Sequence, residues 1–391
     1  MPRTTHFHRV GLGFKFAVFA TVFSIFRWFE GNWLSSWSDV LLSSNSNNDA
    51  SLQKPFGYPR SGIHGEQTLE LPELAGSYED LSSTTSSSSS SSSLLCPSPL
   101  LRFNDTIVES SAVWDNRKIP RIVHFTSKSR CMTQNFVENL QKWNFPNHSV
   151  FLHDDAAVDR LLQRHWPQFP HLQMGMSCLL SGAGKADLWR AIILYEYGGI
   201  YSDIDNSPNQ FHGDTIEPDD EAFFVVEQIG IMSQWFMAAR PKHPYMYLLV
   251  QETLNRLMQV VEVDKQYVPF VTGPGGVKNA MIHFMNAARP PPGADVFQQF
   301  QKVRQGTYVG MDNATVRVVG MRGNQNQYVC RSCVRTKGGD YIAMDMQHFS
   351  KVKPRSNSES CLYRIYRTHE QHRQQQGGGV GDDEKFDFDQ G

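Results

Sequence analysis

The sequence carries little charge, and no charge of one sign prevails. Charged residues are 19% of the 391, with a formal balance of −2 when histidine is neutral. There is no basic field to meet a nucleic-acid backbone and no acidic run before the last few residues, so nucleic acid is excluded as a partner. No internal repeat divides the chain. Cysteine is sparse, at six. Cys330-Arg331-Ser332-Cys333 has metal or redox spacing, yet no second Cys-x-x-Cys or histidine pair completes a zinc site. An even count suits an oxidising compartment, where disulfides are the favoured reading, Cys361 among the candidates, with the connectivity open.

What the chain does have begins at its N-terminus. Residues 10–29 read VGLGFKFAVFATVFSIFRWF, long enough at 1.5 Å per residue to cross an apolar layer of about 30 Å. Lys15 and Arg27 lie toward the two ends, where long side chains reach the headgroups. Arg3 and Arg9 precede the run, which keeps residues 1–9 cytoplasmic and sends the remainder into a lumen. A cleaved signal peptide is the competing reading, but Arg27-Trp28-Phe29-Glu30 offers no small-x-small cleavage site. The expectation is a single-pass type II membrane protein whose remainder faces a lumen. Three Asn-x-Ser/Thr tripeptides, at Asn104, Asn147 and Asn313, agree with a lumenal, glycosylated chain.

Residues 30–116 read as a disordered stem, rich in serine with an unbroken tract from Ser86 to Ser93, because such a stretch buries too little apolar surface to offset its ordering entropy. Residues 369–391, rich in Gln and Gly and then acidic, read the same way. The folded catalytic unit is expected over 117–368. Strands are predicted at Ile119–Phe125, Ser149–His153, Gly199–Asp205 and Phe223–Glu227. Helices are predicted from Asp155 to about His165, Ser181 to Tyr197 and Pro244 to about Val261. Strands alternating with helices predict an α/β fold with a mostly parallel central sheet, in which ligands bind beyond the carboxyl ends of strands.

The stretch from Gly184 to Ser207, GKADLWRAIILYEYGGIYSDIDNS, concentrates the chemistry. Leu188, Ala191, Ile192 and Tyr195 recur at helical spacing along one face, and Asp187 and Arg190, three apart, are neighbours on an adjoining face. Gly198-Gly199 ends the helix in the left-handed conformations that glycine adopts cheaply. If the chain then runs extended, Tyr201, Asp203 and Asp205 project to one side, with the two aspartate Cα atoms roughly 6.5 Å apart. Two carboxylates so placed can share one hard divalent cation with a substrate diphosphate, and such an ion favours departure of that diphosphate. A bare D-x-D is common in sequences; its setting after helix, Gly-Gly and strand makes it informative.

These residues resemble glycosyltransferase family 32. Ile119-Pro120-Arg121-Ile122-Val123-His124 is similar to the family's opening strand. Ala186-Asp187-Leu188-Trp189-Arg190 is similar to its S-D-x-x-R helix, and Tyr197 to Asp205 to its Y-G-G-x-Y-x-D-x-D. Phe236 to Pro244 and Thr272-Gly273-Pro274 resemble two later family segments. The chain departs from the family at Phe125-Thr126-Ser127-Lys128, where a tryptophan is frequent. His348 and His369 are candidates for a late contact. The resemblance implies a GT-A type nucleotide-sugar-binding fold and a retaining, metal-dependent hexosyl transfer. By it, Asp203 and Asp205 are the catalytic pair and hold Mn2+ or Mg2+, while Asp187, Arg190 and Tyr201 bind the donor sugar. The implied donor is GDP-mannose, with a UDP-sugar and α-galactosyl, glucosyl or N-acetylglucosaminyl transfer as alternatives; the acceptor is a glycan or glycolipid.

Other readings are weaker. A haloacid-dehalogenase nucleophile wants a longer apolar strand before its D-x-D and Thr or Val two residues after it, where Ser207 stands. A calcium loop starting at Asp203 wants glycine at its sixth position, where Pro208 stands. A catalytically inactive glycan-binding relative is the alternative of another class. His124 on an apolar strand and the Trp235-Phe236-Met237 cluster read as core.

Overall fold

The computed structural model describes residues 96–179, 181–226, 232–259, 268–287, 305–320, 328–334 and 339–346, with 367 and 371. The expected anchor at 10–29, most of the stem and tail, Cys361, His348 and His369 lie outside them. Among the described residues no helix is long and apolar enough to cross a membrane.

The strands in chain order are β1 (Leu101–Arg102), β2 (Ile122–Thr126), β3 (Cys131–Met132), β4 (Ser149–His153), β5 (Gly199–Ser202), β6 (Ser207–Pro208), β7 (Ala222–Val226), β8 (Met232–Ala239), β9 (Gly306–Val309), β10 (Thr315–Val319) and β11 (Val329–Cys330). The helices are α1 (Ser110–Trp114), α2 (Gln134–Gln141), α3 (Asp155–Gln163), α4 (Leu172–Ser177), α5 (Gly182–Tyr197), α6 (Pro244–Gln259), α7 (Val268–Val271), α8 (Pro274–Asn286) and α9 (Gly339–Ala343).

Seven strands form one sheet in the order β4-β2-β5-β8-β7-β10-β9. Five of them run in one direction; β8 and β9 run against the rest. The α/β expectation and the mostly parallel sheet hold. The antiparallel insertion of β8 follows from the five residues that separate it from β7, enough for an antiparallel return and too few for a parallel crossover. β8 is buried along its whole length, so it lacks the alternation that marks a half-exposed strand.

Alternation along the other strands splits the core in two. Val123, Phe125, Ile200, Phe223 and Val225 join Trp143, Phe136 and Phe211 in one cluster. His124, Tyr201 and Phe224 face the opposite layer, where Phe224 meets Tyr245 of α6 edge-on at 5.1 Å. That layer contains α5, α6 and α8.

Two expectations need correction. The folded unit begins before residue 117. Residues 96–116, assigned above to the stem, place Phe103 and Val113 in the interior, pair β1 with β3, and are tied by the Cys96–Cys131 disulfide. A covalent tie and two apolar anchors order a segment whose average composition is too polar to show it. Second, α5 is not amphipathic: Asp187 through Tyr195 is buried on every side, because α5 sits between the sheet and α6.

Candidate active site

The site lies at the carboxyl end of β5 and is built by α5. Ser181 caps that helix, its Oγ accepting from Gly184 N at 3.0 Å. Gly198 ends it at φ 68° and Gly199 follows at φ 99°. The two glycines do more than stop the helix. A Cβ on Gly198 would lie 2.6 Å from Pro241 Cδ and 2.8 Å from the Ala239 carbonyl, so β8 passes too close for any side chain.

Beyond β5 the chain does not stay extended to Asp205. The strand ends at Ser202 and the D-x-D forms a turn in which Asn206 N donates to Asp203 O at 3.1 Å. Buried polar side chains impose that turn. Asn139 Nδ2 donates to the carbonyls of Ile204 and Asn206, and Asn206 Nδ2 donates to Ser202 Oγ and the Trp235 carbonyl. Asp203 N still donates to Trp235 O at 2.9 Å, the last sheet-like contact.

The sequence-predicted donor residues come together. Arg190 Nη2 lies 3.2 Å from Asp187 Oδ1 and 3.3 Å from Asp203 Oδ1. Its Nη1 donates to Gln234 O at 2.8 Å, and its guanidinium lies over the Tyr201 ring, 4.6 Å from the centroid. Tyr201 in turn donates to Asp203 Oδ1 at 2.6 Å. The Asp187–Arg190 pair is therefore a buried ion pair, not a surface one. Burial opposes the charge on Arg190, but the acids around it, Tyr201 and Asp203 foremost, outweigh burial and raise its pKa. Asp187 responds the other way. Burial pushes it up to about 6, although Arg190 and the Thr272 hydroxyl, which donates to its Oδ2 at 2.7 Å, both favour the charged form. Thr272-Gly273-Pro274 thus meets the site through Thr272; Gln234 Nε2 donates to the Thr272 carbonyl at 2.8 Å and closes the ring.

Asp205 has partners the motif does not contain. Ser332 Oγ donates to its Oδ2 at 2.9 Å and Tyr341 OH to the same atom at 3.2 Å. Burial and then the charge of Asp203 push the Asp205 carboxyl up. Burial, reinforced by Asp205, keeps the Tyr341 hydroxyl protonated. Sequence reasoning missed both: Ser332 lies inside the Cys330–Cys333 pair noted above and Tyr341 outside any motif, and their distance of more than 120 positions downstream hides their link to Asp205. Cys330 and Cys333 bond to each other around Ser332.

The donor set at the two aspartates is all oxygen, which suits a hard ion such as Mg2+ or Mn2+. Asp203 has a third of its side chain exposed, and its Oδ2 and Asp205 Oδ1 stand outside the side-chain contacts above. Among the described residues no group of three His, Cys, Asp or Glu side chains gathers. An ion here would therefore rest on two carboxylates, with the remaining positions left to substrate and water.

His124 and His153 lie behind α5. His124 Nε2 pairs with Gly198 O at 3.0 Å and its Nδ1 with His153 Nε2 at 3.2 Å. Burial lowers His124 to about 4, so it is a neutral, satisfied core histidine. Trp235, Phe236 and Met237 are core as well. Asn104, Asn147 and Asn313 are all exposed.

Comparison with known proteins agrees with this geometry. Residues 110–223 match the family described as glycosyltransferase sugar-binding region containing DXD motif. The chain is 26% identical over 172 residues to mannosyl phosphorylinositol ceramide synthase CSH1 of Saccharomyces cerevisiae, covering 44% of this chain and 42% of that protein. It is 28% identical over 162 residues to inositol phosphoceramide mannosyltransferase 1 of Schizosaccharomyces pombe, covering 38% and 46%. It is 24% identical over 195 residues to the initiation-specific alpha-1,6-mannosyltransferase of the same yeast, covering 43% and 49%. The matches span less than half the length of each relative. Site and match point to one class: residues 110–223 are similar to glycosyltransferase sugar-binding regions of the D-x-D type. The particular relatives that it resembles are mannosyltransferases.

Proposed function

We propose that this chain is a metal-dependent retaining glycosyltransferase, with a GT-A type nucleotide-sugar site, that moves mannose from GDP-mannose to a glycolipid or glycan. The observation that carries the reading is the joint at the end of β5, where Arg190 is held between Asp187 and Asp203 with Asp205 alongside. Asp203 and Asp205 would hold Mn2+ or Mg2+, and such an ion would supply positive charge to offset that of the departing diphosphate. Asp187 accepts from a hydroxyl of the donor sugar. Arg190 and Tyr201 fix Asp203 and line the sugar's position. Mannose is favoured because all three relatives are named for mannosyl transfer, and two of the names contain an inositol phosphoceramide. The apolar segment at 10–29 and the exposed Asn104, Asn147 and Asn313 support a type II anchor with the catalytic unit in the lumen of the Golgi or endoplasmic reticulum. By this reading residues 96–368 form the catalytic unit.

The test is a donor panel of GDP-mannose, UDP-glucose, UDP-galactose and UDP-N-acetylglucosamine, offered to the purified full chain with Mn2+, with Mg2+ and with chelator. Released nucleotide should appear with GDP-mannose and vanish on chelation. Turnover with a UDP-sugar instead would replace mannose and keep the class. Donor or glycan binding without turnover, on any donor, would favour the inactive relative. If Asp203→Ala and Asp205→Ala kept full metal-dependent turnover, the site assignment would be wrong.

A further inference from the structure

We propose that Tyr341, with Ser332 beside it, is a positioning residue for Asp205, so that a segment near the end of the fold sets the affinity of the site for its cation. The proposal rests on the metal reading above. Its basis is a contact that neither the D-x-D motif nor the matched region of 110–223 includes. Tyr341 OH and Ser332 Oγ both donate to Asp205 Oδ2, at 3.2 and 2.9 Å.

The segment carrying them is joined to the turn by its backbone as well. Val334 N donates to Asp205 O at 3.2 Å, Ser332 N donates to Asn206 Oδ1 at 3.3 Å, and β11 pairs with β6. The two aspartates are therefore held alike. Tyr201 donates to one oxygen of Asp203 and Tyr341 to one oxygen of Asp205, and among the described residues no other side chain donates to the second oxygen of either.

The arrangement has a physical purpose. A carboxylate on a turn rotates freely about its side-chain bonds, and two carboxylates close together repel. A hydroxyl donor on one oxygen fixes the rotation and offsets part of the repulsion without supplying a competing charge. Such outer partners typically change metal affinity by roughly 10- to 100-fold when removed. A purely structural role is the alternative, because the Tyr341 ring packs edge-on against Phe136 at 5.4 Å. The substitution Tyr341→Phe separates the two, since it keeps the ring and deletes the hydroxyl.

The experiment titrates Mn2+ into the full chain and follows free Mn2+ by its paramagnetic resonance. The unaltered chain is compared with Tyr341→Phe, Ser332→Ala and Asp205→Asn, and the metal-free melting temperature of each is recorded. Tyr341→Phe should weaken Mn2+ binding about 10-fold, leave the metal-free melting temperature unchanged, and regain turnover at saturating Mn2+. An unaltered Mn2+ affinity overturns the proposal. A lower metal-free melting temperature with Mn2+ affinity intact marks a packing residue and overturns it too. Should Tyr341→Phe fail to fold, Ser332→Ala, at an exposed position, carries the same comparison. If the unaltered chain binds no Mn2+, the metal reading itself fails and takes this proposal with it.

Discussion

Thr272→Val tests the electrostatics of the site with a substitution that keeps side-chain shape. Thr272 is buried, and its hydroxyl donates to Asp187 Oδ2 at 2.7 Å. The hydrogen bond favours the ionised carboxylate, so its loss must raise a pKa that burial has already pushed up to about 6. A hydrogen bond to a charged group contributes about 1.5–3 kcal/mol, and each pKa unit corresponds to about 1.4 kcal/mol. The Asp187 midpoint should therefore climb by about one to two units. If ionised Asp187 accepts from the donor sugar, kcat/KM for the nucleotide-sugar at about pH 6.5 should fall roughly 3- to 25-fold and recover above about pH 9. Stability carries a second signature with a fixed sign. The folded pKa lies above the unfolded value, so ionising Asp187 opposes folding, and its contribution declines as pH rises from about 4 to about 6. The variant should match the parent near pH 5, where Asp187 is protonated in both, and be less stable by about 1–3 kcal/mol near pH 8. The assays are a pH profile of kcat/KM and denaturant unfolding at the two pH values. An acid limb that does not move, with stability lost equally at both pH values, would refute the coupling.

Other perturbations have equally definite outcomes. Asp203→Asn and Asp205→Asn should each lower kcat/KM at least about 100-fold. Asp205→Asn should leave metal-free stability at pH 7 unchanged or raised, since burial and Asp203 already disfavour that charge; thermal melting reads it. Arg190→Ala leaves Asp187 buried without its cation and should cost roughly 3–5 kcal/mol in denaturant unfolding, or less where Asp187 takes a proton. Gly198→Ala must place a Cβ at φ 68° within 2.8 Å of the Ala239 carbonyl, and a cost of about 1–3 kcal/mol should appear as a lower melting temperature.

What the sequence shows and what it hides divide along the range of the interactions. Local signals were legible. Ser149–His153 is a strand to the residue, α5 runs from its Ser181 cap to Tyr197, and Gly198 and Gly199 both take positive φ. Asp187 and Arg190 meet as their spacing requires. The errors are long-range. Alternation favours an extended run through Asp205, but Asn139, some 65 residues upstream, takes the Ile204 carbonyl and helps bend the chain into a turn. The stretch 96–116 looks like stem until Cys96 finds Cys131. β8 shows no period because both of its faces are covered. Ser332 shows only as the interior of a Cys-x-x-Cys and Tyr341 carries no motif, and only the folded chain brings them to Asp205.

The energetics of α5 give an independent reason to read this region as a site. A helix buried on all sides has no need of ions, and a buried ion pair replaced by apolar residues of similar volume is often neutral or stabilising. Folding alone does not explain Asp187 and Arg190 there. Two partners, Arg190 and Thr272, both favour the Asp187 carboxylate, yet burial still prevails and its pKa rises to about 6. Burial thus opposes the charge that Arg190 and Thr272 favour. A donor-sugar hydroxyl arriving at Asp187 would supply the solvation that the fold withholds, and part of the free energy of burial would return as binding. At Asp205 too, burial and the charge of Asp203 oppose the ionised form that Ser332 and Tyr341 favour. Asp187 and Asp205 are thus carboxylates whose charge burial opposes and a sugar hydroxyl or a cation would favour, which is why Asp205→Asn should cost turnover without costing stability.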